Sequence, residues 1–212
     1  MVTARKAPPD DLVAAVDHRT FLHGVSWRQY EELLEMRGDH SAPRIAYLRG
    51  EVEIMSPSRP HESIKKTLAR LLEAWADELE FELEGVGSET LKSAPKERGA
   101  EPDECYLIGG HRRAMPDLAI EVVWTSGGLD KLEIYRGLGV REVWVWDKDR
   151  IQIYVLRRGH YAHSAASAVL PTFDLSLFAK CMRQPSQTLA VRMLRCELRH
   201  RAQRRLVRRP PR

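Results

Sequence analysis

Three short stretches of the chain put a carboxylate or an amine where an apolar run meets a loop. Asp103 and Glu104 enter one in EPDECYLI, Glu121 sits within another in PDLAIEVVWTS, and Lys131 follows in LDKLEIY. Glu121 carries the most information. Alternation along Asp117 to Val122 places it on the face of Asp117 and Ala119, opposite Leu118, Ile120 and Val122. A carboxylate among Ile120, Val122, Val123 and Trp124 is costly to bury unless a cation, a metal or strong donors neutralise it. Asp103 and Glu121 on neighbouring strands would offer oxygen ligands to a hard divalent cation, Mg²⁺ or Mn²⁺. A lysine beside them, Lys131, would stabilise the charge that builds on a phosphoryl group during metal-assisted hydrolysis. The competing reading is a rim glutamate facing water, with Asp103 as a turn residue and Lys131 as a solvated helix residue. Spacing alone does not choose between them.

The elements that must hold these residues can be read from periodicity. Ser26 with Gln29 three positions on forms a capping box, opening a helix that ends near Arg37-Gly38. PRIAYLRGEVEIMSPS alternates on either side of Arg49-Gly50, the pattern of a hairpin. Ile64, Leu68, Leu71, Leu72, Trp75 and Leu79 recur at helical spacing after a Ser- and Pro-rich turn, so a long helix runs from about His61 to Leu79. Strands are expected over about Glu82–Ser93, Asp103–Ile108, Asp117–Val123 and Arg141–Trp146, with a short helix over Leu129–Leu138 before the last of them. Arg150–Leu156 and His160–His163 read as a final hairpin, and Asp174–Ala179 and Gln187 to about Arg205 as helices. The class is α/β with a mixed β-sheet flanked by helices. Residues 1–22 read as a flexible arm, 23–183 as the main domain, and 184–212 as a C-terminal helix with an Arg-rich tail.

The blocks YLRGEVEIMSPSRPHE, EPDECY, PDLAIEVVWTSGGLDKLEIYRGLGVREVWVWD and RIQIYVL, in that order, resemble the Uma-two family of restriction-endonuclease-like proteins, within the PD-(D/E)XK nuclease superfamily. The resemblance covers about residues 24–200. It implies a restriction-endonuclease-like core with one metal-dependent nuclease site. Carried onto this chain, the first Pro-Asp supplies Asp103 and the acid of the next core strand is Glu121. Many superfamily members have a lysine two residues after that acid, where this chain has Val123. Lys131, on the following helix and on one face with Tyr135, is the expected surrogate. His61 and Glu62, at the start of the long helix, are expected accessories that could face the metal, hold a water or contact phosphate. The competing reading for both is an ordinary helix-start role. Many members also carry a Glu four residues before the hairpin glycine, where this chain has Ala46, and that departure bears on catalytic competence.

Composition narrows the class further. The 212 residues carry 43% hydrophobic and 30% charged residues, the balance of a folded domain. No apolar run approaches the roughly 20 residues that span a bilayer. Nothing behind the N-terminus resembles a secretory signal, and three cysteines without metal-ligand spacing fit a reducing compartment, so a cytoplasmic location is expected. The net charge of +4 is uneven: from Val191 onward nine Arg face one acid, Glu197, a net +8 that leaves −4 for residues 1–190. The basic end could contact phosphate or form a solvated helix. The leading reading is a metal-dependent endonuclease acting on nucleic acid, with DNA favoured. A second is a nuclease-fold module that binds nucleic acid or protein without catalysis, and a third a structural homodimer.

Overall fold

The computed structural model describes residues 16–110, 113–125 and 127–207. The described residues form two sheets and five α-helices. The smaller sheet contains β1 (His18–Leu22), β2 (Arg44–Leu48), β3 (Glu51–Ser56), β5 (Leu91–Ser93) and β6 (Arg98–Ala100) in the order β1-β3-β2-β6-β5, and every neighbouring pair is antiparallel. The larger contains β4 (Leu83–Gly85), β7 (Glu104–Ile108), β8 (Leu118–Val123), β9 (Glu142–Asp147), β10 (Arg150–Arg157) and β11 (His160–Ser164) in the order β11-β10-β9-β8-β7-β4. Only β8 and β9 run parallel in it, because the helix α3 (Lys131–Leu138) makes the crossover between them.

Local chemistry sets most boundaries. Ser26 and Gln29 close the capping box of α1 (Trp27–Arg37). The Ser58 hydroxyl accepts the His61 N–H to open α2 (Arg59–Glu78), with Pro60 in its first turn. Asp130 caps α3 through the Glu133 N–H at 2.9 Å. The β2–β3 hairpin turns at Arg49 and Gly50, both with positive φ.

One face of the larger sheet, carrying Leu118, Ile120, Val122, Trp144 and Trp146, is covered by α2, α4 (Leu175–Met182) and α5 (Gln187–Val207). The opposite face meets α3, and Ile134, Tyr135 and Leu138 pack there against Ala119 and Val143 together with Ala46, Leu91 and Ala100 of the smaller sheet. The two sheets therefore share α3. No described helix is long and apolar enough to cross a membrane.

The expected α/β class with a mixed sheet flanked by helices holds, the larger sheet being the mixed one. A second, antiparallel sheet stands beside it, because the stretch 82–93 splits into β4 and β5 on different sheets and the three-residue β6 is too short to show alternation. Residues 1–15 of the expected arm lie outside the described residues, but His18–Leu22 is an edge strand paired with β3 along its whole length. Ser126 lies outside the described residues, while Gly127 and Gly128 lie against the site described below. Finally, α5 is not a wholly solvated helix: Ala190, Leu194 and Leu198 belong to the main core. Three of its arginines pair within the fold, Arg195 and Arg199 with Asp77 and Glu78 of α2, and Arg201 with Asp174. Arg208, Arg209 and Arg212 lie outside the described residues.

Candidate active site

Asp103 stands just before β7, almost fully buried at 1% exposure. Its N–H donates to the Ile120 carbonyl, and one step beyond the Glu104–Ile120 pair the ladder brings it alongside Glu121. Its carboxylate is fully engaged. Oδ2 accepts the Val122 N–H at 2.6 Å, while Oδ1 lies 2.8 Å from His61 Nε2 and forms an ion pair with Arg44. Arg44, on β2, also donates to Glu62 Oε1 at 3.0 Å. His61 is completely buried, with its Nδ1 3.1 Å from Asp17 Oδ2. Asp17 in turn accepts the Ser58 N–H at 2.8 Å and the Thr125 hydroxyl at 3.2 Å.

This is a chain of polar contacts, Asp17–His61–Asp103–Arg44–Glu62, buried as far as Arg44 and reaching the surface at Glu62, that joins β2, the start of α2 and the edge of β7. Burial pushes the His61 imidazole below its ordinary pKa although Asp17 pulls the other way. For Asp17, burial raises the carboxyl, but the Ser58 N–H and His61 outweigh it and hold the group below its ordinary value. His61 and Glu62 thus have definite partners: His61 bridges two carboxylates, and Glu62 holds the far side of Arg44.

Glu121 has different company. It is 7% exposed, and its Oε1 accepts the hydroxyl of Tyr135, itself buried on α3. Burial and the Glu121 charge push the Tyr135 hydroxyl well above its ordinary pKa, so it donates as a neutral phenol. Glu121 forms no ion pair with a described residue. It lines a cavity of about 280 Å³ together with Arg19, Glu53, Lys131 and Tyr154 and the loop Gly127–Leu129. Lys131 is the first residue of α3 and likewise has no ion-pair partner among the described residues. The structure therefore brings Glu121 and Lys131 to one cavity. Asp103, His61 and Glu62 are not among the residues lining it.

Two lining residues escaped the sequence reading. Glu53 looked like the solvent side of a hairpin strand in which Val52 and Ile54 were the apolar residues. It is 2% exposed, because β3 lies inside the smaller sheet and the β8–α3 loop covers it. Its only sequence signal was an acid inside VEIM. Arg19 fell in the expected arm and gave none.

Asp117, the second Pro-Asp, is engaged by Arg113 and Arg141, both at 2.8 Å, and by the Ile108 N–H at 3.0 Å. It stands four strand residues from Glu121, roughly 13 Å along the strand. Cys105 is buried and its thiol pushed up to about 12, which leaves it inert as a nucleophile.

The sequence model of the Uma2 family, described as "Putative restriction endonuclease", matches residues 27–184. The chain belongs to the Uma2 family. Among solved structures, a nuclease termed putative, of family DUF820 from Anabaena variabilis ATCC 29413, is 13% identical with a TM-score of 0.43, over 76% of this chain and 96% of that one. No curated protein matches the chain. In this Uma2 chain no group of three or more His, Cys, Asp or Glu side chains among the described residues is arranged to hold a metal ion. The donor set still suits a hard cation of the Mg²⁺ kind, which takes one or two carboxylates and keeps waters or phosphate oxygens for the rest. Glu121 meets that requirement as a buried acid on a cavity wall with no cationic side chain paired to it among the described residues.

Proposed function

We infer that this chain is a divalent-cation-dependent endonuclease that hydrolyses phosphodiester bonds, with DNA as the favoured substrate. The observation that carries the reading is that one cavity is lined by a buried Glu121 and by Lys131, neither of which has an ion-pair partner among the described residues. Opposite charges placed around a space of this size fit a bound cation and the phosphate it accompanies. Family membership supports the reaction class.

Glu121 and Asp103 are the residues to hold Mg²⁺ or Mn²⁺, which when bound would lower the pKa of a water and polarise the phosphate. The Tyr135 hydroxyl fixes the Glu121 carboxylate by a hydrogen bond that costs no reorganisation during reaction. Lys131 supplies the positive charge that meets the growing negative charge on phosphate oxygens. His61 orients Asp103, and Glu62 offers Arg44 an alternative partner when Asp103 turns to a ligand; both act behind the cavity wall rather than on the phosphate.

Incubation of plasmid DNA with Mg²⁺ or Mn²⁺ tests the reading. Nicking or linearisation should be abolished by chelator and by Glu121→Gln, and slowed to a low but measurable rate by Lys131→Ala. A wild-type protein that cuts neither DNA nor RNA with either metal would sink it. The second reading, binding without cleavage, draws on the Asp103–Arg44 ion pair, since an arginine already neutralises one of the two acids. It is distinguished by salt-sensitive DNA binding that chelator leaves unchanged.

A further inference from the structure

The geometry points to Glu53 as a positioning residue that sets the location of Lys131, and so to a role that depends on the nuclease reading of the cavity above. Glu53 lies on β3 directly across from Ala46 of β2, and the small partner leaves room on that face. Its Oε2 accepts the N–H of Leu129 at 2.7 Å. Leu129 stands two residues before Lys131 and one before Asp130, whose side chain caps α3. The carboxylate therefore binds the last piece of loop before the lysine.

The residues around this contact are shaped to it. A Cβ at Gly128 would sit 2.8 Å from Glu53 Oε2, and Gly128 has a φ of +133°, so both space and backbone exclude a side chain there. The other end of the same loop is held by Arg19, whose Nη1 donates to the Thr125 carbonyl and hydroxyl, both at 2.9 Å. Arg19 also places its Nε 3.7 Å from Glu53 Oε1 and its Nη2 3.5 Å from Asp17. Arg19 and Glu53, from β1 and β3, thus grip the β8–α3 connection at both ends. The loop is fixed from the smaller sheet. A buried carboxylate bonded to a backbone N–H makes a stronger, shorter-range restraint than a neutral acceptor would, and the Arg19 guanidinium offsets its charge.

The full chain tests this by three readouts. Hydrogen exchange at the Leu129 amide should quicken by about tenfold or more in Glu53→Ala, while Glu53→Gln, which still offers an acceptor oxygen, should keep most of the protection. Acylation of the Lys131 amine should change by about threefold or more in Glu53→Ala. With plasmid DNA and Mn²⁺, Glu53→Ala should lower kcat about tenfold with KM little changed, yet cost nothing further in a Lys131→Ala background. An unchanged Leu129 exchange rate, unchanged Lys131 labelling, or an equal loss of kcat with and without Lys131 would each overturn the assignment. Should Glu53→Ala fail to fold, Gly128→Ala crowds the same oxygen from the other side and is read the same way. A wild-type chain that cuts nothing refutes the nuclease reading alone, and exchange and labelling then decide the role of Glu53.

Discussion

Replacing Asp103 by alanine removes the carboxylate that Arg44 and His61 share, leaving Arg44 with Glu62 and His61 with Asp17. The side chain of Asp103 is fully buried and that of Arg44 is 5% exposed, so water does not replace the lost contact, and the part-exposed Glu62 compensates the Arg44 charge only in part. Removing one member of a buried ion pair costs about 3–5 kcal/mol, because the remaining charge keeps its desolvation penalty. The Val122 N–H also loses its acceptor, a further cost of about 1–3 kcal/mol if counted alone, but the groups share one space and the terms do not add. A net loss of about 4 kcal/mol is a large part of the roughly 5–15 kcal/mol that holds a domain of this kind together. Urea unfolding reads it directly: with a slope near 2 kcal/mol/M, the midpoint should fall by about 2 M. Asp103→Asn keeps an acceptor for Val122 and should lose less. The decisive variant adds Arg44→Met, which removes the partly compensated charge and should return about 2 kcal/mol relative to the sum of the single losses. A midpoint shift below about 0.5 M for Asp103→Ala, or strict additivity in the double variant, would refute the ion-pair chain as described.

Other consequences are independent of that chain. The Glu133 carboxyl is pushed down to about 2 by hydrogen bonds from Arg136 and Arg98. A depressed carboxyl contributes stability above its ordinary value of 4.5 and loses it as pH falls towards about 2, so Glu133→Gln should flatten the acid limb between those values in pH-dependent urea titrations. Burial pushes Cys105 up to about 12 and Cys181 up to about 11, whereas Cys196 is exposed. A thiol reagent at neutral pH should therefore modify Cys196 alone in the folded protein and all three cysteines in denaturant. Leu194 on α5 is 1% exposed, so Leu194→Ala should cost about 2–5 kcal/mol by chemical denaturation, while a loss under about 0.5 kcal/mol would mean that α5 does not share the core.

What could be read from the sequence was what local chemistry decides. Ser26 with Gln29, Ser58 before Pro60, Asp130 before Lys131 and the Arg49-Gly50 turn each fix an element through atoms a few residues apart. Glu121 was legible for a related reason, since an acid among Ile120, Val122 and Val123 must find something. The partners it and Asp103 found were not legible. Asp103 meets Arg44 and His61, which lie 59 and 42 positions earlier in the chain, and only the meeting of two sheets brings them there. Glu53 was missed because alternation tells the two faces of a strand apart but not whether both are covered. Arg19 was missed because five residues of edge strand, HRTFL, carry no clear period and gain their order only from pairing with β3. The charge split of the chain also misled about α5, whose three core residues are spaced by four within an otherwise arginine-rich helix.

The central claim is that a divalent cation sits on the cavity wall formed by Glu121. Anomalous scattering from crystals soaked in Mn²⁺ measures this without reference to activity. The account expects a manganese peak within about 2.0–2.3 Å of a Glu121 carboxylate oxygen, on the side of the cavity that Lys131 lines, and no such peak in Glu121→Gln. A cavity without a peak at saturating Mn²⁺, or a peak that persists unchanged in Glu121→Gln, would contradict it.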